Sequence, residues 1–136
     1  MSNPLRILIV DDQPRARHSL QALLATKFEL AEVCEATNGA EAIRRFDECN
    51  PDIVLMDVRM PEMDGIEATR IITTKSVPAP VIVLSMYPMY QEAALAAGAN
   101  AFISKGDSPD RLLEALTEAS ERIQTERAAT VQQPEN

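Results

Sequence analysis

Three segments of this chain are nearly unbroken aliphatic runs: Leu-Arg-Ile-Leu-Ile-Val at Leu5–Val10, Asp-Ile-Val-Leu-Met at Asp52–Met56 and Pro-Val-Ile-Val-Leu at Pro80–Leu84. A strand with one wet face alternates apolar and polar residues. Continuous Ile, Val and Leu instead describe strands covered on both faces, as in a parallel sheet. Leu30–Ala36 and Asn100–Ser104 are weaker strand candidates. The strand starts, near positions 5, 30, 53, 81 and 101, are spaced by roughly the length of one βα unit.

The segments between them carry helical signals. Ala16, Leu20, Leu23 and Leu24 within Arg15–Lys27, with Phe28 beyond, lie on one face of a 3.6-residue period. Asn38-Gly39 opens a second helix with Ala40, Ile43 and Phe46 inward, and Asp64-Gly65 a third with Ile66, Ala68, Ile71 and Ile72. A fourth covers Met89–Ala97 and stops at Gly98. The last begins at Ser108 as N-cap with Pro109 in first position, and sets Leu112, Leu116, Ala119 and Ile123 toward the core. Five βα repeats predict an α/β fold, a doubly wound (βα)5 sandwich over a five-stranded parallel sheet of order 2-1-3-4-5. The domain is expected over residues 1–124, with 125–136 as a linker or disordered tail.

Composition narrows the function classes. Thirteen Lys and Arg against 21 Asp and Glu leave a net charge of −8, which disfavours direct nucleic-acid binding and an anionic membrane surface. Met1-Ser2-Asn3-Pro4 has no basic n-region, and the apolar run after it carries Arg6 and stops at Asp11-Asp12, so neither a signal peptide nor a membrane span is expected. Two cysteines, Cys34 and Cys49, are too few for a disulfide framework; they read as packing residues of a cytoplasmic protein. His18 reads as a solvated side chain, and the methionines at 56, 60, 63, 86 and 89 as core or rim filling.

In open parallel sheets the ligand crevice lies beyond the carboxyl ends of the strands, at the point where strand order reverses. Asp11 and Asp12 follow the first strand, Asp57 ends the third, Ser85 the fourth and Lys105 the fifth. In the order 2-1-3-4-5 all five line one crevice. Carboxylates about 5 Å apart at an effective dielectric near 20 repel by about 3 kcal/mol per pair. Such a cluster demands cations or a retained proton. Lys105 supplies one charge, and an all-oxygen site without His or Cys suits Mg²⁺. The chemistry this points to is phosphoryl transfer to a carboxylate.

The motifs Val10-Asp11-Asp12, Met56-Asp57-Val58-Arg59-Met60-Pro61-Glu62-Met63-Asp64-Gly65, Leu84-Ser85 and Ser104-Lys105 resemble those of the receiver domain of a bacterial two-component response regulator, over about residues 5 to 124. The resemblance implies a flavodoxin-like fold and a signalling switch, not an enzyme beyond its own phosphorylation and dephosphorylation. It implies that Asp57 accepts phosphate from the phosphohistidine of a sensor histidine kinase. Asp11, Asp12, Asp57 and the backbone carbonyl of Arg59 would hold Mg²⁺. Lys105 and Ser85 would bind the phosphoryl group, and Ser85, swinging inward, and Phe102, moving from exposed to buried, would switch the surface around the fourth helix, fifth strand and fifth helix. Phe102 stands where many members carry Tyr, and Lys105-Gly106 where many carry Lys-Pro. With Ala97-Gly98-Ala99-Asn100-Ala101-Phe102 and Leu84-Ser85-Met86-Tyr87, this is similar to the LuxR-type transcription regulators. By that likeness the domain controls a C-terminal DNA-binding output domain, with a homodimer on phosphorylation as a further implied partner; the alternative is a complete single-domain regulator acting through protein contacts. Arg59 and Tyr87, large side chains beside the phosphoryl site, are expected to tune dephosphorylation.

Rival chemistries fit less well. Phosphatases of the haloacid-dehalogenase type carry a second Asp two residues after the nucleophile, and Arg59 stands there. A nucleotide or flavin fold would want a Gly-rich loop after the first strand, where this chain has Asp-Asp-Gln-Pro. A pseudo-receiver, switching without phosphate, is disfavoured by the intact set of Asp11, Asp12, Asp57, Ser85 and Lys105.

Overall fold

The computed structural model describes residues 4–132, with side chains described to residue 126. In chain order the elements are β1 (Leu5–Val10), α1 (Pro14–Ala25), β2 (Leu30–Ala36), α2 (Gly39–Cys49), β3 (Ile53–Asp57), α3 (Gly65–Thr73), β4 (Val81–Ser85), a 3-10 turn (Pro88–Tyr90), α4 (Gln91–Ala96), β5 (Ala101–Ser104) and α5 (Pro109–Gln132). All strand pairs are parallel and the sheet order is β2-β1-β3-β4-β5, as the repeat pattern predicts.

The aliphatic runs are continuous because alternate residues serve two cores. Leu8, Val10, Val54, Met56, Val81 and Val83 pack with Ala42 and Phe46 of α2 and Ala68 and Ile72 of α3. Ile7, Ile9, Ile53, Leu55, Ile82 and Leu84 pack on the other side with Leu24 of α1 and Leu112, Leu116 and Ala119 of α5. At about 25 cal/mol per Å² of apolar surface removed from water, these two layers supply the main driving force for folding.

Helix ends follow local chemistry. Asn38 caps α2 by accepting from the Glu41 N–H at 2.8 Å, and Asp64 caps α3 by accepting from the Glu67 N–H at 2.9 Å. Asn50 takes the left-handed conformation after α2, and Gly98, at φ 107°, ends the α4 segment.

Four expectations need correction. Ala42, not Ala40, faces the core from α2; Ala40 is exposed. The segment expected as one helix over Met89–Ala97 begins instead as the 3-10 turn Pro88–Tyr90, and α4 follows only from Gln91. α5 remains helical to Gln132, where fraying is expected beyond about Thr125; residues 133–136 of the expected tail lie outside the described residues. The fourth concerns Cys34 and Cys49, which are buried as packing residues should be, but joined in a disulfide between β2 and the last turn of α2. His18 is exposed, as expected. Among the described residues no helix is long and apolar enough to cross a membrane.

Candidate functional site

The carboxyl ends of β1, β3, β4 and β5 open into a crevice of about 300 Å³ lined by Asp11, Asp12, Asp57, Arg59, Ser85 and Lys105, with Gln13, Met86 and Tyr87 at its rim. Asp11 extends the β1 ladder by one residue, its N–H donating to the Ala36 carbonyl at 3.1 Å. Its carboxylate is almost wholly buried and fully engaged. Oδ1 accepts from the Gln13 N–H at 2.9 Å, and Oδ2 meets Lys105 Nζ at 2.9 Å. Arg17 secures the same corner, donating to the Asp11 carbonyl at 2.7 Å and pairing with Glu35 at 2.7 Å. Asp12, the next residue, is exposed.

Asp57 stands opposite. Its Oδ1 accepts from the Val58 N–H at 3.0 Å and lies 3.2 Å from Lys105 Nζ. Among the described residues no hydrogen bond engages Oδ2, which leaves that oxygen available as a nucleophile. One oxygen from each of Asp11, Asp12 and Asp57 falls within 4.8 Å of the others. A single ammonium bridges two of these three carboxylates. The cluster therefore keeps uncompensated negative charge and hard oxygen donors, a donor set that fits a divalent cation of the Mg²⁺ class.

Electrostatics agree with that reading. Burial pushes the Asp57 carboxyl above its ordinary value, Lys105 opposes the rise, and the Asp11 charge adds to it. For Lys105, burial disfavours the charged form, but the Asp11 hydrogen bond and the Asp57 and Asp11 charges outweigh it and hold the ammonium above its ordinary value. Asp57 is thus a carboxylate held at some cost, and a second cation in the crevice would relieve it.

The loop carrying Asp57 is set by glycine. The Gly65 N–H donates to the Val58 carbonyl at 2.8 Å, and a Cβ on Gly65 would stand 1.8 Å from the Asp57 carbonyl oxygen. From the far side, the Gly39 N–H donates to the Met63 carbonyl at 2.9 Å, with room for no side chain. The Met56–Gly65 motif is therefore a backbone device as well as a chemical one.

Ser85 is buried, its hydroxyl accepting from the Tyr87 N–H at 3.0 Å and so turned along its own loop. The Lys105 N–H donates to the Ser85 carbonyl at 2.9 Å, which fixes the two strand ends in register. Phe102 is half-buried and already packs against the α2–α4 side of the sheet, where the resemblance implies an exposed starting position. The Arg59 guanidinium lies over the Tyr87 ring, 4.9 Å from its centroid, and the Tyr90 ring makes a T-shaped contact with the same ring at a centroid separation of 6.1 Å. Sequence reasoning singles out Arg59 and Tyr87 and reads Met86 as core or rim filling, which its place at the rim bears out, but misses Gln13 and the bracing Tyr90. Gln13 was legible in principle, since it lies between Asp12 and the helix-initiating Pro14 at the carboxyl end of β1.

A model of the response regulator receiver domain matches residues 7–117. The chemotaxis protein CheY of Listeria monocytogenes is 43% identical over 121 residues, covering 85% of this chain and 98% of that protein. A two-component response regulator of the LuxR family from an Aurantimonas species superposes with a TM-score of 0.81 at 33% identity, over 88% of this chain and 86% of the other. A chain of the CheX–CheY–BeF3–Mg complex from Borrelia burgdorferi superposes with a TM-score of 0.73 at 29% identity, over 85% and 88% of the two chains.

Proposed function

The chain belongs to the response regulator receiver family, a family of signalling switches, and on that footing we propose that Asp57 is its phosphoacceptor. The observation that carries this is the Asp57 carboxylate itself: Oδ1 is fixed by the Val58 amide and Lys105, while Oδ2 faces the crevice unengaged. Oδ2 attacks phosphorus, the bond from phosphorus to the donor breaks, and an acyl phosphate forms on Asp57. Lys105 neutralises charge on the transferred group from its place between Asp11 and Asp57. Asp11, Asp12, Asp57 and the Arg59 carbonyl are the groups that would hold Mg²⁺, which when bound supplies positive charge to the phosphoryl oxygens. The Borrelia relative captured with BeF3 and Mg supports this assignment.

The new dianion demands donors. Ser85 turns from the Tyr87 amide toward the phosphoryl group, and Phe102 follows into the space beside it. The half-buried position of Phe102 makes this a completion of burial, not a swing from solvent. The switched surface comprises α4, β5 and α5. The donor in the cell is the phosphohistidine of a sensor kinase, the compartment is the cytoplasm, and the domain corresponds to residues 1–124. The likeness to LuxR-family regulators, one of them a DNA-binding response regulator from Staphylococcus aureus at 28% identity, supports a DNA-binding output. The near end-to-end match to CheY supports the alternative of direct protein contacts.

Incubation with Mg²⁺ and acetyl phosphate should add one phosphate to the intact mass of the wild type and none to Asp57→Asn. An undiminished adduct on Asp57→Asn would remove Asp57 from its role. A second expectation concerns lifetime. Arg59 stacked on Tyr87, itself braced by Tyr90, places bulk beside the phosphoryl site and obstructs an attacking water. A cation–π contact of this kind is worth about 0.5–1 kcal/mol. Arg59→Ala and Tyr87→Ala should each shorten the phosphoryl lifetime several-fold, and unchanged decay rates would show that the pair shields nothing.

A further inference from the structure

The disulfide lies away from the phosphoryl site. Cys34 sits on the edge strand β2 and Cys49 on the last turn of α2, with Cα atoms 6.8 Å apart and both side chains buried. Over them lies a polar cover that packing alone does not require. Glu32 Oε1 is 3.5 Å from Cys34 Sγ and 4.0 Å from Cys49 Sγ. Glu32 Oε2 pairs with Arg6 at 2.8 Å, and Arg6 Nε donates to the Cys49 carbonyl at 3.1 Å. Glu32 and Arg6 are both about half exposed, so the sulfurs stand one ion pair from solvent at the open edge of the sheet.

We propose that Cys34 and Cys49 form a reversible thiol–disulfide modification site that sets how tightly α2 is held to the sheet. In the dithiol form the Glu32 carboxylate is the acceptor within reach of the Cys34 S–H. Oxidation proceeds by exchange with a small disulfide of the glutathione class. The thiolate of one cysteine attacks that disulfide and expels the first small thiolate. The second cysteine then attacks the mixed disulfide and expels the other. Two electrons pass from the protein sulfurs to the external disulfide and the two thiol protons leave with the products, so one protein disulfide and two small thiols result.

The consequence reaches the acceptor loop through α2. Its C-terminal end carries Cys49, while at its N-terminal end the Gly39 amide holds the Met63 carbonyl and Asn38 reaches Glu62 at 3.4 Å. Tying one end of this helix to β2 therefore steadies the segment between Asp57 and Gly65. The bridge closes a short loop, with a sequence separation of 15 residues.

The test uses the full chain equilibrated in glutathione buffers of graded ratio, quenched into denaturant with N-ethylmaleimide and weighed intact. Reduced buffers should give two alkylations and oxidised buffers none, with a single two-electron transition between them. Cys34→Ser should show at most one alkylation, lost in oxidised buffers only to a glutathione adduct visible in the intact mass, and no internal bridge at any ratio. The melting temperature should fall by roughly 10 °C on reduction of the wild type, and the Gly39 amide should exchange faster in the reduced form. Two alkylations at every ratio would overturn the site. A normal transition with unchanged Gly39 exchange would overturn the coupling through α2. Neither result depends on whether Asp57 accepts phosphate.

Discussion

Lys105→Ala is expected to slow phosphoryl transfer to Asp57 by about 10²–10³-fold, the scale on which enzymes lose rate when a charge-stabilising donor is removed. Lys105 Nζ lies 2.9 Å from Asp11 and 3.2 Å from Asp57, so its loss leaves two crowded carboxylates facing each other without their common cation. Breaking a buried pair costs about 3–5 kcal/mol, and the lower end applies here because the lysine side chain is 27% exposed. The deficit should depend on pH with a definite sign. Asp57 is raised by burial against the opposing influence of Lys105, so removing Lys105 raises it further. A carboxyl whose folded pKa exceeds its unfolded value binds its proton more tightly when folded. It therefore subtracts stability as pH climbs through the folded pKa. Lys105, raised in the folded state, contributes stability below its unfolded pKa and loses it only as pH rises through the folded value, so the wild type keeps that contribution across the neutral range. Urea unfolding should find the variant weaker by more at about pH 8 than at about pH 5. Equal deficits at both, or an undiminished transfer rate, would dismiss Lys105 as the balancing charge.

The sheet order and the crevice were legible in the chain because both follow from periodicity and position. Unbroken Ile, Val and Leu imply two buried faces, and charged residues directly after such runs must emerge at the carboxyl edge of the sheet. Asp11, Asp57 and Lys105 come together for that reason alone, from positions 94 residues apart at the extremes. What was not legible depended on contacts between elements that periodicity does not order. Ala40 and Ala42 are one residue type two positions apart, and only the approach of α2 to β2 decides which is buried. The Cys34–Cys49 bridge required knowing that the end of α2 returns over β2 on the same face. The Arg59–Tyr87–Tyr90 stack required the path of the loop after β4, where Pro88 starts a 3-10 turn instead of a regular helix. Gly65 stands out in the chain only as part of a motif, and the reason it must be glycine lies in the Asp57 backbone opposite.

Gly65→Ala tests that reason. The position has no positive φ, so alanine meets no conformational penalty there, and in a helix it should gain up to about 1 kcal/mol over glycine. Propensity alone predicts a stabilised protein. Sterics predict the reverse. The added Cβ would fall 1.8 Å from the Asp57 carbonyl oxygen, 2.8 Å from its carbonyl carbon and 2.9 Å from Met56 Cγ. Backbone atoms at the end of a central strand have nowhere easy to go, because Asp57 is paired with Leu84 of β4. Overpacking of this kind costs typically about 1–3 kcal/mol, and a carbonyl met head-on belongs at the upper end, leaving a net loss of about 2 kcal/mol. Function should suffer more than stability. Displacing a reacting group by about 1 Å can cost about 10²-fold in rate, and the clash falls on the backbone of the proposed nucleophile itself. Gly65→Ala should therefore fold with a lowered urea midpoint yet take up phosphate from acetyl phosphate about a hundred-fold more slowly. A variant that is stabilised and phosphorylated at the wild-type rate would mean that the Asp57 loop is free to retreat, and that the Asp64-Gly65 pair serves only to start α3.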